Sequence, residues 1–112
     1  MSVVIPNLEK AVIERSKLSD YLLSEVHPVG RYKAVFFRAL GFESEHWLLL
    51  REILLRATLE NLAELGQPSP FGQKYLVKAN ILGLNGRQAR VNIVWIVEPE
   101  GLVPRLVSVY PG

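Results

Sequence analysis

Polar side chains occupy three even-numbered positions in residues 73–82, which read QKYLVKANIL. Lys74, Lys78 and Asn80 alternate with apolar residues, so a β-strand would present them together on one face. Residues 87–97 add Arg90 and Asn92 in the same way. Such a face can bind a phosphodiester and stabilise the charge that develops on it during cleavage. The alternative is a solvated sheet face on which lysines discourage aggregation.

Three aliphatic residues, Leu76, Val94 and Ile96, share this polar face. Exposed aliphatic side chains among cations favour a bound partner or a covering segment over bulk water.

Two residues of the N-terminal half are also candidates for chemistry. His27 precedes Pro28 at a break between two predicted helices, where a histidine with a pKa near neutrality is a candidate general acid or base. The alternative for His27 is an ordinary histidine of a surface loop. Lys33 borders an apolar helix stripe, so either its stem covers that stripe or its ammonium reaches a cleft. His46 falls in the first turn of a helix, where a protonated ring opposes the dipole, which indicates a structural role.

The composition excludes several kinds of site. The 112 residues contain no cysteine, which excludes disulfides, thiol nucleophiles and cysteine–zinc sites. With two histidines and no acidic cluster at ligand spacing, we expect neither a metal nor a cofactor. The sequence has no signal-peptide pattern and no apolar run of membrane-spanning length, so we expect a cytoplasmic protein without a membrane partner.

The net charge of +2 is too small to indicate nucleic-acid binding by itself, but its distribution is informative. Residues 71–112 carry five basic and two acidic residues, a net charge of +3, whereas residues 1–70 carry a net charge of −1. The positive charge is therefore concentrated in the part of the chain that is predicted to form strands, where it would favour a phosphate partner.

Helices are predicted before strands, which gives an α+β fold in a single domain, residues 1–112. The predicted helices span about residues 16–24, 31–40 and 44–65. Ser16 and Ser44 are the expected N-caps, Gly41 ends the second helix, and Gly66 with Pro68 ends the third. The sequence AVI at residues 11–13 is compatible with a short strand or a helix start.

After Pro70 the apolar period changes from 3.6 to 2, which predicts an antiparallel meander whose apolar face the helices cover. The predicted strands span about residues 72–82, 87–97 and 105–110. The sequence LNG between the first two strands is a hairpin signal. A two-residue turn would place Lys78 beside Ile93 and mix charge with core. A three-residue loop with Gly86 at positive φ instead pairs Tyr75 with Trp95, and we prefer it because one face is then wholly apolar.

The last strand, RLVSVY, admits two registers. One register buries Val107 and Val109 and puts Ser108 and Tyr110 on the face of the lysines, and the other hides Ser108. We prefer the first register. Arg105, at the start of the strand, adds a further cation.

Three blocks of the sequence resemble a bacterial domain family of unknown function. The blocks are YLLSEVHPVGRYKAVFFRALGF, PFGQKYLVKANILGLNGRQARVNIVWIV and PRLVSVYP, and with the long helix between the first two they span residues 21–111. That family resembles the barnase/EndoU/colicin/RelE-type nucleases, which are small α+β domains that cleave RNA without metal and often act as toxins. The resemblance places the family's functional positions on His27, Lys33, Gly72 to Tyr75, Trp95, Ser108 and Tyr110. Ser108 stands where a threonine is expected and keeps the hydroxyl.

The resemblance implies a metal-independent ribonuclease toxin of a toxin–antitoxin type system, in which a 2′-hydroxyl attacks the adjacent phosphate. The implied catalytic residues are His27, Lys33, Lys74 and Ser108. For such an enzyme we assign RNA binding to the polar residues of the predicted strands, Lys78, Arg90, Asn92, Arg105 and Tyr110. His27 would act as acid or base, the two lysines would stabilise the phosphate, and Ser108 would orient it. The implied partners are RNA and a cognate antitoxin or immunity protein.

Two other functions fit the residues. A non-catalytic interaction module, such as an antitoxin, an immunity protein or an accessory protein, would use the mixed apolar and basic face to hold a partner. A nucleic-acid binder without cleavage is the third interpretation, although the predicted face lacks the exposed aromatic pairs on which single-strand binders stack bases.

Overall fold

The computed structural model describes residues 2–24, 26 and 30–112, and it confirms the α+β fold. Helix α1, Arg15–Lys17, continues directly into a π-helical turn, Leu18–Leu22. Helix α2 is Gly30–Ala39, and helix α3, Trp47–Glu60, follows a 3₁₀ turn at Ser44–His46. The strands are β1 Ser2–Val3, β2 Ala63–Ser69, β3 Gly72–Leu82, β4 Gln88–Val97 and β5 Pro104–Pro111. They form one antiparallel sheet in the order β1-β2-β3-β4-β5.

Helix α2 has Ala39 as its last residue and is terminated by Gly41, as the sequence predicts. Gly41 has φ 90°, and the N–H of Phe42 donates to the carbonyl of Phe37, which satisfies one of the last carbonyls of the helix. The hairpin loop between β3 and β4 packs against this helix end, where the Asn85 side chain donates to the carbonyl of Ala39 at 2.9 Å. The loop therefore fixes the end of α2 relative to the sheet.

Helix α3 ends at Glu60, so the predicted extension to residue 65 is wrong. The Asn61 side chain donates to the carbonyl of Ala57 at 2.7 Å, and from Ala63 onward the chain pairs with β3 as strand β2. Leu62, which a helix extending to residue 65 would place on its inner face, is 64% exposed. The residues of this segment favour helix by only a few tenths of a kcal/mol each, and the strand ladder and the burial of Ala63 outweigh that preference.

The expected serine N-caps are also wrong. Helix α1 begins at Arg15, with Glu14 in the N-cap position, so Ser16 lies inside the helix. The Ser44 hydroxyl donates to the carbonyl of Leu23 at 3.3 Å. The turn before α3 is closed by His46, whose Nδ1 accepts the N–H of Glu43 at 2.9 Å, which agrees with a structural role for this histidine.

The predicted register of the β3–β4 hairpin is confirmed. Tyr75 pairs with Trp95 and Val77 pairs with Ile93, and Gly86 has φ 84°. The N–H of Gly83 donates to the carbonyl of Arg87 at 2.7 Å, which closes the three-residue loop. Trp95 is fully buried, and its indole N–H donates to the hydroxyl of Thr58 on α3 at 3.1 Å. The helices thus cover the face of the sheet that carries Trp95.

Strand β5 contains a β-bulge that the sequence analysis missed. Val94 pairs with Ser108 and Trp95 pairs with Leu106, so Val107 is the extra residue. As a result Leu106, rather than Val107, is buried beside the predicted Val109. Ser108 and Tyr110 lie in the expected register, opposite Val94 and Asn92.

The outer edge of β5 is covered by the N-terminal segment. Val12 forms a parallel bridge with Arg105: its N–H donates to the carbonyl of Pro104, and its carbonyl accepts the N–H of Leu106. The sequence AVI is therefore extended, and α1 starts from the β5 edge. In the part of the chain that is described, no helix has the length and apolar character needed to cross a bilayer.

Candidate active site

Three polar side chains from three elements meet at the β5 edge. Lys33 of α2 donates a hydrogen bond to the hydroxyl of Tyr21, in the π-helical turn, at 3.1 Å, and another to the hydroxyl of Ser108 on β5. The Lys33 ammonium also lies 4.9 Å from the centre of the Tyr21 ring. All three side chains are half-buried. We call Tyr21, Lys33 and Ser108 the edge cluster.

The packing of each element explains why these side chains converge. Ala34 and Phe37 of α2 are fully buried, so the side chain of Lys33 projects from the border of the packed face of α2. Leu18 and Leu22 are also fully buried, and the N–H of Leu23 donates to the carbonyl of Leu18, a bond that spans five residues. This wide turn packs against α2 and carries Tyr21.

The third member of the edge cluster comes from an irregular part of the sheet. Ser108 directly follows Val107, the extra residue of the bulge. Bulges re-aim side chains and are common at sheet edges and next to active sites. The hydroxyl of Ser108 reaches Lys33 although the two residues are 75 positions apart in the sequence.

The electrostatics of the edge cluster act on Tyr21. The hydrogen bond donated by Lys33 lowers the pKa of Tyr21 below its ordinary value, and the positive charge of Lys33 adds to this effect. A hydrogen bond with Ser108 and the charge of Lys17, whose ammonium lies 6.0 Å from the ring centre, lower the pKa of Tyr21 further. Partial burial opposes the shift and is outweighed. The cluster therefore favours loss of the phenol proton.

Lys33 can bind a phosphate while it donates hydrogen bonds to the two hydroxyls. An ammonium has three N–H donors, and Tyr21 and Ser108 accept two of them. The third can go to a phosphate oxygen at the same edge. The edge cluster thus combines one cation, one phenol with a lowered pKa and one hydroxyl, which are groups suited to charge stabilisation and proton transfer.

The face of the sheet opposite Trp95 carries most of the remaining predicted residues, and we call it the open face. Its side chains form four rows across β3, β4 and β5: Lys74–Ile96–Arg105, Leu76–Val94–Ser108, Lys78–Asn92–Tyr110, and Asn80–Arg90. Leu76, Val94 and Ile96 are half-buried, and the cations around them are exposed. By register, Ser108 belongs to both the open face and the edge cluster.

The cations of the open face differ in their ion pairs. Arg105 lies between two carboxylates, 3.0 Å from Glu14 and 3.2 Å from Glu98, which reduces its availability to a phosphate. Lys78 has a longer contact of 3.8 Å with Glu64, and such exposed pairs contribute little to stability. No ion pair to Lys74 or Arg90 is found within residues 2–24, 26 and 30–112. Tyr110 is 39% exposed beside Asn92.

The four residues predicted to be catalytic are not all brought together. Lys33 and Ser108 are in contact, whereas Lys74 lies two strands and one row away from Ser108, about 12 Å at Cα. His27 lies outside the described residues. In the described ranges, no group of three His, Cys, Asp or Glu side chains could hold a metal ion.

Tyr21 is the member of the edge cluster that the sequence analysis missed. The helical spacing of Leu18, Tyr21 and Leu22 assigns this tyrosine to an apolar face, and the spacing is correct for both leucines. The overlooked signal is chemical: a tyrosine that packs on an apolar helix face brings a hydroxyl that needs a polar partner.

The groove between the N-terminal 3₁₀ turn and α3 has a volume of about 740 Å³ and contains none of the predicted site residues. Leucines and charges of both signs line it, among them Leu49, Leu59, Arg56 and Glu60. The candidate site is therefore the edge cluster rather than this groove.

Comparisons with known proteins give one family and one fold likeness. A family model described as "Domain of unknown function (DUF6883)" matches residues 4–112. No curated protein matches the sequence. Among solved structures, a chain of a contact-dependent growth inhibition toxin–immunity protein complex from Klebsiella pneumoniae 342 is similar, with a TM-score of 0.69 and 16% sequence identity. The match covers 91% of this chain and 100% of that one, and at this identity it shows a shared fold.

Proposed function

Because the chain belongs to the family described as "Domain of unknown function (DUF6883)", whose description names no activity, we propose a function from the site itself: a metal-independent ribonuclease of the toxin type. The observation that carries the proposal is the edge cluster, in which Lys33 binds Tyr21 and Ser108 from two other elements. The fold likeness to a chain of a toxin–immunity protein complex supports a role as one member of such a pair.

The proposed reaction is attack of a ribose 2′-hydroxyl on the adjacent phosphate. Its transition state places extra negative charge on the phosphate oxygens, and a fixed cation that is half-buried stabilises that charge better than water does. Lys33 fills this role. Ser108 orients the Lys33 ammonium and the bound phosphate, and His27 keeps its role from the sequence, that of an acid or base.

RNA would reach the edge cluster across the open face. Lys74 and Arg90 are exposed and Lys78 is weakly paired, so these cations can neutralise phosphates on either side of the scissile one. Asn92 and Tyr110 share a row with Lys78 and can contact a sugar or a base. Lys74, two strands away from β5, is assigned to backbone binding in this proposal, and Arg105, held by two glutamates, contributes least.

The test is cleavage of total RNA and tRNA by the purified protein in the presence of EDTA. The wild type should cleave, and cleavage should persist in EDTA because Lys33 supplies the positive charge. Lys33→Gln should lower the rate by about 10²–10³, the usual cost of losing one preorganised electrostatic contact. Lys10→Gln, which removes an equal charge from the exposed 3₁₀ turn at Leu8–Lys10, should leave the rate unchanged.

Equal rates for the wild type and Lys33→Gln would show that the edge cluster is not the active site. If the wild type leaves total RNA, tRNA and translating ribosomes intact, the ribonuclease proposal fails.

A second candidate function is the binding of a protein partner without catalysis, as an antitoxin, immunity or accessory protein. The observation that favours it is the trio Leu76, Val94 and Ile96, which stays partly exposed at the centre of a cationic face. The two functions differ in a growth assay. Expression of a ribonuclease toxin should arrest growth and Lys33→Gln should relieve the arrest, whereas a binding module should cause no arrest.

A further inference from the structure

We infer that Tyr21 is the proton donor of this site, protonating the 5′-oxygen that leaves when the phosphodiester is cleaved. The inference rests on the proposed ribonuclease function and names a catalytic residue that sequence reasoning did not. It is carried by the geometry of Tyr21 in the edge cluster, where the phenol oxygen lies 3.1 Å from the Lys33 ammonium.

The direction of the hydrogen bond with Lys33 determines what Tyr21 can do. An ammonium only donates, so the Tyr21 oxygen accepts from Lys33 and the phenol proton must point to another acceptor. A phosphodiester oxygen bound at Lys33 would lie next to the phenol and could act as that acceptor. A donor in this position can reach an oxygen of the bound phosphodiester.

The surroundings of Tyr21 stabilise the phenolate that remains after proton transfer. Among the described residues, the groups that act on it include the Lys33 ammonium from α2, the Ser108 hydroxyl from β5, and the Lys17 ammonium one turn earlier in the same helical segment. These groups lower the pKa of Tyr21, and a phenol with a pKa closer to the working pH is a better general acid.

The backbone also holds the phenol in place. Tyr21 lies in the π-helical turn, and turns of this kind occur often at functional sites. Leu18 and Leu22 anchor the two ends of the turn in the core. The ring stays half-buried against Lys33, so little reorganisation is needed when the proton leaves.

The step balances as follows. The 2′-oxygen forms a bond to phosphorus while the bond from phosphorus to the 5′-oxygen breaks. The proton of the 2′-hydroxyl passes to water acting as the base, and the phenol proton of Tyr21 passes to the departing 5′-oxygen. The products are a 2′,3′-cyclic phosphate and a 5′-hydroxyl, and the Tyr21 phenolate then recovers a proton from solvent.

The experiment compares two substrates that differ only in the need for a proton on the leaving group. One substrate is a ribodinucleotide, and the other is a nucleoside 3′-(4-nitrophenyl phosphate), whose leaving phenolate needs no proton. Tyr21→Phe should slow cleavage of the dinucleotide by about 10²–10⁴ and leave cleavage of the nitrophenyl ester near the wild-type rate. Lys33→Gln should slow both substrates, because both develop charge on the phosphate.

The matched control is Tyr32→Phe, which removes a phenol hydroxyl from an exposed position on α2. It should leave both rates unchanged. If Tyr21→Phe slowed cleavage of the two substrates equally, the acid role would be overturned and a structural role indicated. An unchanged rate on the dinucleotide would also overturn the acid role. A wild type that cleaves neither substrate overturns the ribonuclease proposal as well.

A second measurement does not depend on activity. Near-ultraviolet absorbance follows phenolate formation, and subtraction of the Tyr21→Phe curve from the wild-type curve isolates Tyr21 among the four tyrosines. Lys33→Gln should move the ionisation of Tyr21 to higher pH. An unchanged titration curve in Lys33→Gln would show that Lys33 does not stabilise the phenolate, which would overturn the proposed geometry.

Discussion

The contact between Trp95 of β4 and Thr58 of α3 should account for a measurable share of the stability of this domain. Trp95 is fully buried, and its indole N–H donates to the Thr58 hydroxyl at 3.1 Å. The Thr58 hydroxyl in turn donates to the carbonyl of Leu54 at 2.8 Å, so it has a second partner of its own. The contact joins strand β4 to helix α3.

The structure gives a different cost for each substitution. Trp95→Ala removes a buried aromatic ring and should cost about 3–5 kcal/mol of unfolding free energy, a large part of the roughly 5–15 kcal/mol that a domain possesses. Thr58→Val keeps the side-chain shape but leaves the indole N–H buried without an acceptor, at about 1–3 kcal/mol. Trp95→Phe loses the hydrogen bond and part of the ring volume, while Thr58 keeps its bond to Leu54.

The double variant Trp95→Phe with Thr58→Val should therefore cost less than the sum of the two single variants. Once the indole is absent, Thr58→Val no longer leaves an unpaired donor, and we expect a coupling energy of about 1–2 kcal/mol. Urea unfolding of the four proteins, followed by tryptophan fluorescence or circular dichroism, measures the cycle. Trp47 still provides a fluorescence signal in the variants that lack Trp95.

Additive costs, within about 0.5 kcal/mol, would show that the indole and the hydroxyl are not paired. A near-neutral Trp95→Ala would place the ring at the surface. That result would also reverse the faces of β4, and the open face with its cations would no longer exist.

Three further predictions concern the loop, the phenol and the RNA contacts. Gly86→Ala should cost about 1–2 kcal/mol of unfolding free energy, because Gly86 has φ 84° but open space around it. Gly41→Ala should cost more in the same unfolding assay, because Gly41 has a similar φ of 90° and an added Cβ would lie 3.1 Å from Leu84 Cβ. Because the pKa of Tyr21 is lowered on folding, its stabilising effect is present above the unfolded value of about 10 and is lost as pH falls through the folded value. The wild type should thus become increasingly more stable than Tyr21→Phe as the pH rises from neutral to about 10. A difference in unfolding free energy that stays constant would contradict the pKa shift. Lys78→Ala should weaken RNA binding and reduce the slope of log affinity against log salt by about 0.7, whereas Arg87→Ala in the hairpin loop should leave the slope unchanged.

The sheet was predictable where a hydrophobic pattern and a turn signal agreed. For β3 and β4, a shift of one residue would have put Lys78 among core residues, and the sequence LNG supplied the matching loop with Gly86 at positive φ. Strand β2 carried no such pattern. Its residues include good helix formers, and it is a strand because β3 offers a partner for its backbone, which is a long-range effect that local propensity does not contain.

The candidate site was predictable in its parts but not in its assembly. Lys33 and Ser108 were identified separately, and nothing in a 75-residue separation says that they touch. Lys74 looked equivalent to Lys33 as a phosphate cation, but the strand order places it across the sheet from the β5 edge. Tyr21 was assigned to the core because its spacing matched Leu18 and Leu22.

Two local departures from regular structure explain why periodicity predicts the scaffold better than the site. The π-helical turn at Leu18–Leu22 holds one more residue than an α-helical turn, and it carries Tyr21. The bulge at Val107 adds one residue to β5, and Ser108 follows it directly. Each irregular element contributes one of the two hydroxyls that Lys33 binds. Because pattern analysis assumes periods of 3.6 and 2, it describes the elements that support the edge cluster and fails at the two positions where the backbone departs from those periods to build it.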